Sequence, residues 1–301
     1  MGLLSKLVIG TLPIVPMSIV KTVAGRYIAG PLLEDAVRKT EELMRVGSSS
    51  TIDVLGEFVQ SRDLAIYEAG MSRSVVDAIH ANALDSYLSV KLTSMGVDID
   101  PDFAFENLLA IVSHAHDLGV FVRMDMENTP YTDVTFDFYR RLRADGFDNI
   151  GVVIQAYLRR SEADVRALLE YGPSVRLCKG IYVEDTSVAF KNAEDIRTNY
   201  KLLLRILMES GADVRVATHD EPLIIDAINL AASLGRAPSS VEFQMLLGVR
   251  GDRRAALAKK GYKTRVYVPF GQDWYAYSTR RMKENPAIAS HVAKALLTGG
   301  R

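Results

Sequence analysis

Ile150-Gly-Val-Val-Ile-Gln-Ala-Tyr157, Ala163-Asp-Val-Arg-Ala-Leu-Leu-Glu-Tyr-Gly172 and Ser174-Val-Arg-Leu-Cys-Lys179 form one unit of sequence. The first and third segments are short apolar runs rich in Val, Ile and Leu, as buried strands require. The middle segment carries apolar residues at helical spacing and stops at Gly172, a helix terminator. Strand, helix, strand in so short a span is a parallel βαβ unit.

The same alternation runs outward in both directions. Further apolar runs lie at Thr51–Leu55, Ser86–Leu92, Val120–Met126, Asp213–Thr218, Ser240–Gln244 and Thr264–Pro269. Between them fall helical patterns such as Glu106–Gly119 and Asn199–Gly211, each again closed by glycine. Eight repeats over about 230 residues predict a (β/α)8 barrel of the TIM type. A doubly wound open sheet fits the same counting, because periodicity alone does not close a barrel. The barrel is expected over 51–301. Residues 1–50 are expected to form a helical extension, in which Pro31–Arg45 reads as an amphipathic helix ending at Gly47.

Bulk composition narrows the function classes. The chain has 301 residues, 48% hydrophobic and 24% charged, with a formal net charge of −1. That balance gives no reason to expect nucleic acid as a partner. Cys178 is the one cysteine, so there is no internal disulfide and no cysteine-rich metal site. A reducing, cytoplasmic setting fits. Met1–Val20 is an apolar run with one lysine, interrupted by Pro13 and Pro16 and too short to span a bilayer. No small-x-small cleavage signal follows it. It reads as an arm packed on its own domain, with peripheral contact at the inner face of the membrane as the second reading.

The strand ends carry polar residues at the face where such barrels place their active sites. Lys91 closes the second run, and Asp125 closes the third with Glu127 just beyond. Gln155 ends the fourth. Arg176 and Lys179 belong to the fifth, Thr218 and His219 to the sixth, Glu242 and Gln244 to the seventh, and Tyr267 to the eighth. Any one of these fits a satisfied ion pair in a polar core layer. Contribution by seven of the eight runs points instead to a shared site. Near the C-terminus, Tyr277, Arg280, Arg281 and Glu284 fall at i, i+3, i+4 and i+7, one face of a helix. Two guanidiniums there suit bidentate capture of a carboxylate. The surplus of cations suits anionic ligands. No Rossmann glycine fingerprint, P-loop, nucleophile elbow or zinc spacing is present, so no metal is expected.

The stretches Asp53–Glu57, Met124–Glu127, Gln155–Tyr157, Val175–Tyr182, Ala217–His219, Glu242–Leu246, Arg265–Gly271 and Tyr277–Glu284 together resemble proline dehydrogenase, in its small monofunctional bacterial form. The resemblance runs from about residue 26 to near the C-terminus, and Tyr-x-x-Arg-Arg-x-x-Glu is its most specific element. It implies a distorted (β/α)8 barrel with a last helix over the mouth. It also implies noncovalent FAD (with FMN as the alternative), oxidation of L-proline to Δ1-pyrroline-5-carboxylate, and electron transfer to a membrane quinone.

The resemblance assigns roles to individual residues. Lys91, Arg280 and Arg281 would bind the substrate carboxylate, while Leu246, Tyr267 and Tyr277 would wall the ring. Asp125 would orient the cationic cluster, and Arg176 would face the reactive edge of the flavin. Gln155 and Met126 would contact the isoalloxazine. Lys179, Gly180 and Ile181 would meet the ribityl–phosphate part. Thr218 and His219 would hold the far nucleotide, and Glu284 would orient the last helix. Glu57 would gate the site through the first clamp arginine. A tyrosine at 267 would favour proline over trans-4-hydroxyproline. Four positions depart from the family pattern: Ile181 stands in place of alanine, Cys178 of an aliphatic, Asp220 of asparagine, and Arg197 of an acidic residue. Three rival readings use the same residues: a Schiff-base lyase or aldolase with Lys179 or Lys91 as nucleophile, a noncatalytic metabolite binder, and a flavoenzyme acting on another amine.

Overall fold

The structure, a computed structural model, describes residues 25–272 and Trp274. Eight parallel strands close into a barrel in sequential order, each hydrogen-bonded to the next and the last to the first. They are β1 Ser49–Val54, β2 Ser86–Val90, β3 Val122–Met124, β4 Ile150–Gln155, β5 Ser174–Cys178, β6 Asp213–Ala217, β7 Glu242–Leu246 and β8 Lys263–Phe270. The described helices are α1 Leu33–Arg45, α2 Arg62–Ala81, α3 Pro101–Asp117, α4 Thr132–Ala144, α5 Ser161–Leu168, α6 Ala193–Glu209, α7 Glu221–Ser233 and α8 Gly251–Lys259. Closure excludes the open doubly wound sheet. It is made by the β1–β8 pairing, in which Ser49 stands opposite Arg265 and Val54 opposite Phe270. Helix α1 packs against β8 and β1, on the outer surface where the first and last strands meet.

Side-chain alternation splits each strand between two environments. Ile52, Leu88, Val122, Val152, Leu177, Val216, Phe243 and Val268 are fully buried in the main apolar core. The alternate positions hold a different chemistry: Asp53, Ser89, Lys91, Arg123, Gln155, Arg176, Glu242, Gln244 and Arg265 are all buried. A barrel interior is commonly filled by branched aliphatic side chains. Here much of it is an ionic and hydrogen-bonded stack.

Strand β7 starts two residues later than the sequence predicts, at Glu242. Pro238–Ser240 form a 3-10 turn that delays entry into the sheet. The shift moves Glu242 from the mouth to the floor. There Arg265 Nε donates to its Oε1 at 3.0 Å, and Arg215 Nη1 lies 3.6 Å from its Oε2. The expectation that Glu242 belongs to the polar groups at the mouth is therefore corrected: it neutralises two floor arginines, the buried Arg265 and the partly buried Arg215. Arg123 sits between floor and mouth, giving Nη1 to the carbonyls of Val152 and Ser174. Gly151 makes room for it, since a Cβ there would stand 2.3 Å from Arg123 Nη1.

Candidate active site

The C-terminal strand ends open into a cavity of about 520 Å³, within the usual range for small-molecule sites. Glu57, Lys91, Asp125, Met126, Gln155 and Arg176 line one part of it. Lys179, Gly180, Ile181, Thr218, His219, Leu246 and Tyr267 line the rest. Every described residue singled out from the sequence as substrate, cofactor, catalytic or gating group reaches this one cavity. Tyr277, Arg280, Arg281, Glu284 and the last helix lie outside the described residues.

Asp125 is the hub. It follows β3, where its backbone N–H donates to Val90 O at 2.8 Å and fixes the turn out of the strand. Its Oδ1 accepts from Arg176 Nη1 at 2.6 Å and from Ser89 Oγ at 2.9 Å. Its Oδ2 accepts from Tyr267 OH at 2.7 Å, with Lys91 Nζ at 4.0 Å. One carboxylate thus holds a guanidinium and a phenol in place and stands close to an ammonium. The Arg176 guanidinium also lies over the Tyr267 ring, 5.3 Å from its centroid. The network continues downward: Arg176 Nε donates to Gln244 Oε1 at 2.7 Å, and Gln244 Nε2 donates to Glu242 Oε1 at 2.7 Å. Floor and mouth are one hydrogen-bonded column.

Lys91 donates to Asp53 Oδ1 at 2.5 Å, and both side chains are almost fully buried. Burial disfavours the ammonium, but Asp53, Asp125 and Glu57 together outweigh it and hold the Lys91 pKa above the ordinary lysine value. The same burial raises the Asp53 carboxyl, with Asp125 repulsion adding to it against the pull of Lys91. A lysine fixed as ammonium is a poor nucleophile, so the lyase reading loses Lys91.

Glu127 does not face the cavity. Thr93 N and Thr93 Oγ1 donate to its two carboxylate oxygens at 3.0 and 2.6 Å, turning it into the wall behind β2. Its expected place among the polar groups at the mouth is corrected accordingly, and burial pushes its carboxyl up to about 7. His219 is neutral near pH 7, lowered to about 4 by burial and then by Arg250 and Lys179. Its Nε2 accepts from Leu246 N at 3.0 Å, which leaves Nδ1 as the ring's N–H donor.

A family profile for proline dehydrogenase matches residues 36–294. The chain belongs to the proline dehydrogenase family. The proline dehydrogenase 1 of Bacillus subtilis (strain 168) is 40% identical over 274 residues, covering 91% of this chain and 90% of the relative. The proline dehydrogenase of Deinococcus radiodurans is 36% identical over 280 residues, covering 92% and 90%. Among solved structures, proline utilization A from Bdellovibrio bacteriovorus, inactivated by N-propargylglycine, superposes with a TM-score of 0.82 at 24% identity. That match covers 88% of this chain and 32% of the larger protein, and it shows the shared barrel fold.

Against this proline dehydrogenase background, Asp53 is the main cavity-adjacent residue that motif reading left without a role. It lies inside the quoted Asp53–Glu57 stretch and at the mouth end of β1. A carboxylate at a strand end is the one signal that points to it as a partner for a neighbouring cation. Tyr182 and Met245 also line the cavity, with no chemical signal in the sequence to single them out.

Proposed function

We propose that this protein is a flavin-dependent proline dehydrogenase, using FAD to oxidise L-proline to Δ1-pyrroline-5-carboxylate. The proposed organisation is an N-terminal arm over 1–50, whose helix α1 is built onto the barrel, and a catalytic barrel over 51–301. The observation that carries the reading is the Lys91–Asp125–Arg176–Tyr267 constellation at the mouth of a barrel belonging to this family.

The cavity fits a flavin on its own chemistry. Gln155 donates both amide hydrogens to the Met126 and Glu127 carbonyls, leaving Oε1 buried with no partner. Arg176 Nη2 is likewise buried and unpartnered. An acceptor and a donor left open in this way suit the imide edge and the carbonyl–N5 edge of an isoalloxazine. Beside them, Gly180 holds φ +103°, and a Cβ there would stand 2.1 Å from the Tyr157 ring. That position admits only glycine and keeps the backbone close to a ligand.

Bound flavin would supply the acceptor for the hydride equivalent lost from the ring carbon next to the substrate nitrogen. This chain's residues do the positioning. Lys91, with Arg280 and Arg281, holds the substrate carboxylate. Tyr267 and Leu246, with Tyr277, confine the ring so that one carbon is presented. Asp125 keeps Arg176 and Tyr267 in one geometry, and Arg176 favours negative charge on the cofactor edge it faces. Gln155, Met126, Lys179, Gly180, Ile181, Thr218 and His219 hold the cofactor, Glu284 steadies the last helix, and Glu57 gates entry. A membrane quinone is the proposed electron acceptor, reached by peripheral contact through the N-terminal arm. Among the described residues no helix is long and apolar enough to cross a membrane.

The decisive experiment is the visible spectrum of the purified full chain before and after anaerobic L-proline. A yellow protein that bleaches supports the reading. A colourless protein, or one that forms a borohydride-trapped lysine adduct, refutes it.

A further inference from the structure

The segment after β5 is tied to two other strand exits. Gly180, Ile181 and Tyr182 line the cavity. A little further on, Glu184 turns its carboxylate across to the exit of β3, where Oε1 accepts from Thr129 N at 2.7 Å. Lys191 Nζ donates to the Glu184 carbonyl. Beyond Glu184 the chain is strapped to the exit of β4. Arg159 N donates to Val188 O at 2.9 Å, Phe190 N donates to Tyr157 O at 2.8 Å, and Leu158 and Ala189 form an antiparallel bridge. Arg159 Nε also donates to Thr186 O at 3.0 Å, and its guanidinium lies 4.5 Å from the Phe190 ring centroid.

The Glu184 bond replaces a cap that the sequence could supply locally. Thr129 opens a 3-10 turn, Thr129–Tyr131, that runs directly into α4. Asn128, just before it, is of the type that caps such starts. Its side chain makes no capping bond, and its Oδ1 is buried without a partner. The carboxylate of Glu184, 55 positions on, takes that place. A carboxylate accepting from a backbone N–H makes a charge-assisted bond, stronger than a neutral one. Apolar packing does not hold this stretch, since Val183, between Tyr182 and Glu184, is 98% exposed. The cavity wall is thus pinned at one end by Gly180 against the Tyr157 ring and at the other by Glu184 on Thr129.

Resting on the flavin reading above, we propose that Glu184 is a positioning residue for the cofactor: by capping Thr129 it holds the Gly180–Tyr182 wall in place and sets the rate at which flavin leaves. The open acceptor Gln155 Oε1 and the open donor Arg176 Nη2 lie on β4 and β5. Glu184 ties the exits of β3 and β5 together, and the strap ties β5 to β4. The wall beside those two groups cannot swing outward without breaking a charge-assisted bond and leaving Thr129 uncapped. Glu184 does not line the cavity, so it acts through the wall it holds.

The test reads flavin release, independent of turnover. Full-chain protein loaded with FAD is diluted into an excess of a flavin-trapping apoprotein, and release is followed by fluorescence. Glu184→Ala is expected to speed release at least about tenfold, the scale of one lost hydrogen bond to a charged acceptor. Glu184→Gln keeps an acceptor without the charge and should fall between. Thr129→Pro removes the donor at a position where proline is tolerated, and Asn128 already has the extended ψ of 166° that a following proline requires. It should match Glu184→Ala. Two variants acting through one contact do not add, so the double variant should release flavin no faster than either single one. Val183→Ser, on the exposed neighbour, should release it at the wild-type rate. Unchanged release in Glu184→Ala overturns the proposal. So do multiplying effects in the double variant, which mark independent structural damage, and equal acceleration by Val183→Ser. If Thr129→Pro does not fold, Glu184→Ala and Val183→Ser decide alone. Wild-type protein that takes up no FAD would instead overturn the flavin reading beneath the proposal.

Discussion

Asp125 and Tyr267 concentrate what single residues do here. The Asp125 carboxylate balances Arg176 and Lys91 while fixing the Tyr267 hydroxyl at 2.7 Å. Asp125→Asn keeps the shape but removes the charge that holds Arg176. We expect kcat/KM for proline to fall about 100-fold, the range seen when a preorganised electrostatic contact is lost. FAD content should be retained, and dye-linked assays with flavin quantification check both points. The Tyr267 ring lies beside the Arg176 guanidinium, and on the proposed function it would act on the substrate ring by bulk. Tyr267→Ser should narrow the preference for proline over trans-4-hydroxyproline, by about 10-fold. Equal kcat/KM values for the two substrates in the wild-type protein would refute the role. These residues were legible because they sit at strand ends in a run of chemical types that packing alone does not ask for. Asp53 was less so, because its meaning depends on Lys91, 38 positions away and just past the end of the adjacent strand.

Strand β7 shows what one element's register decides. Entering the sheet at Glu242 rather than Ser240 places that carboxylate on the floor with Arg215 and Arg265, leaving Gln244 to meet Arg176. Removing one member of a buried charge cluster leaves the others uncompensated, at a cost of about 3–5 kcal/mol. Glu242→Ala should lower the denaturant midpoint accordingly. Glu162→Ala, which breaks the exposed Glu162–Arg166 pair on α5, should change stability by less than about 1 kcal/mol. Equal effects would show that the floor cluster is not energetically distinct. The helices were easier to place than the strand ends. Their apolar stripes and closing glycines are local signals, as Gly172 illustrates with its φ of +56°. The limits of a strand depend on partners that a linear reading does not see.

At the scale of the whole molecule, the buried carboxyls make stability depend on pH. Glu127 is raised from 4.5 to about 7, chiefly by burial, and Asp53 is raised in the same direction. A raised carboxyl holds its proton more tightly in the folded protein than in the unfolded chain. Unfolding therefore releases protons between pH 4.5 and 7, and this contribution to stability falls as pH rises through that window. Glu242 and Asp220 are lowered, so they act oppositely, adding stability above the ordinary carboxylate range and losing it in acid. Glu127→Gln should flatten the decline between pH 5 and 7.5 in urea midpoints; an unchanged slope would remove Glu127 as its source. The chain by itself determined the eightfold strand–helix alternation and the kinds of side chain at the mouth, because periodicity and residue type are local properties of a polymer. Tertiary structure decided which charges meet. The pairing of adjacent strands brings Asp53 to Lys91 and Glu242 to Arg265, and the packing of α6 beside α7 brings Arg197 to Asp220. Electrostatic partners are set by distance in space, and only the closed barrel supplies those distances.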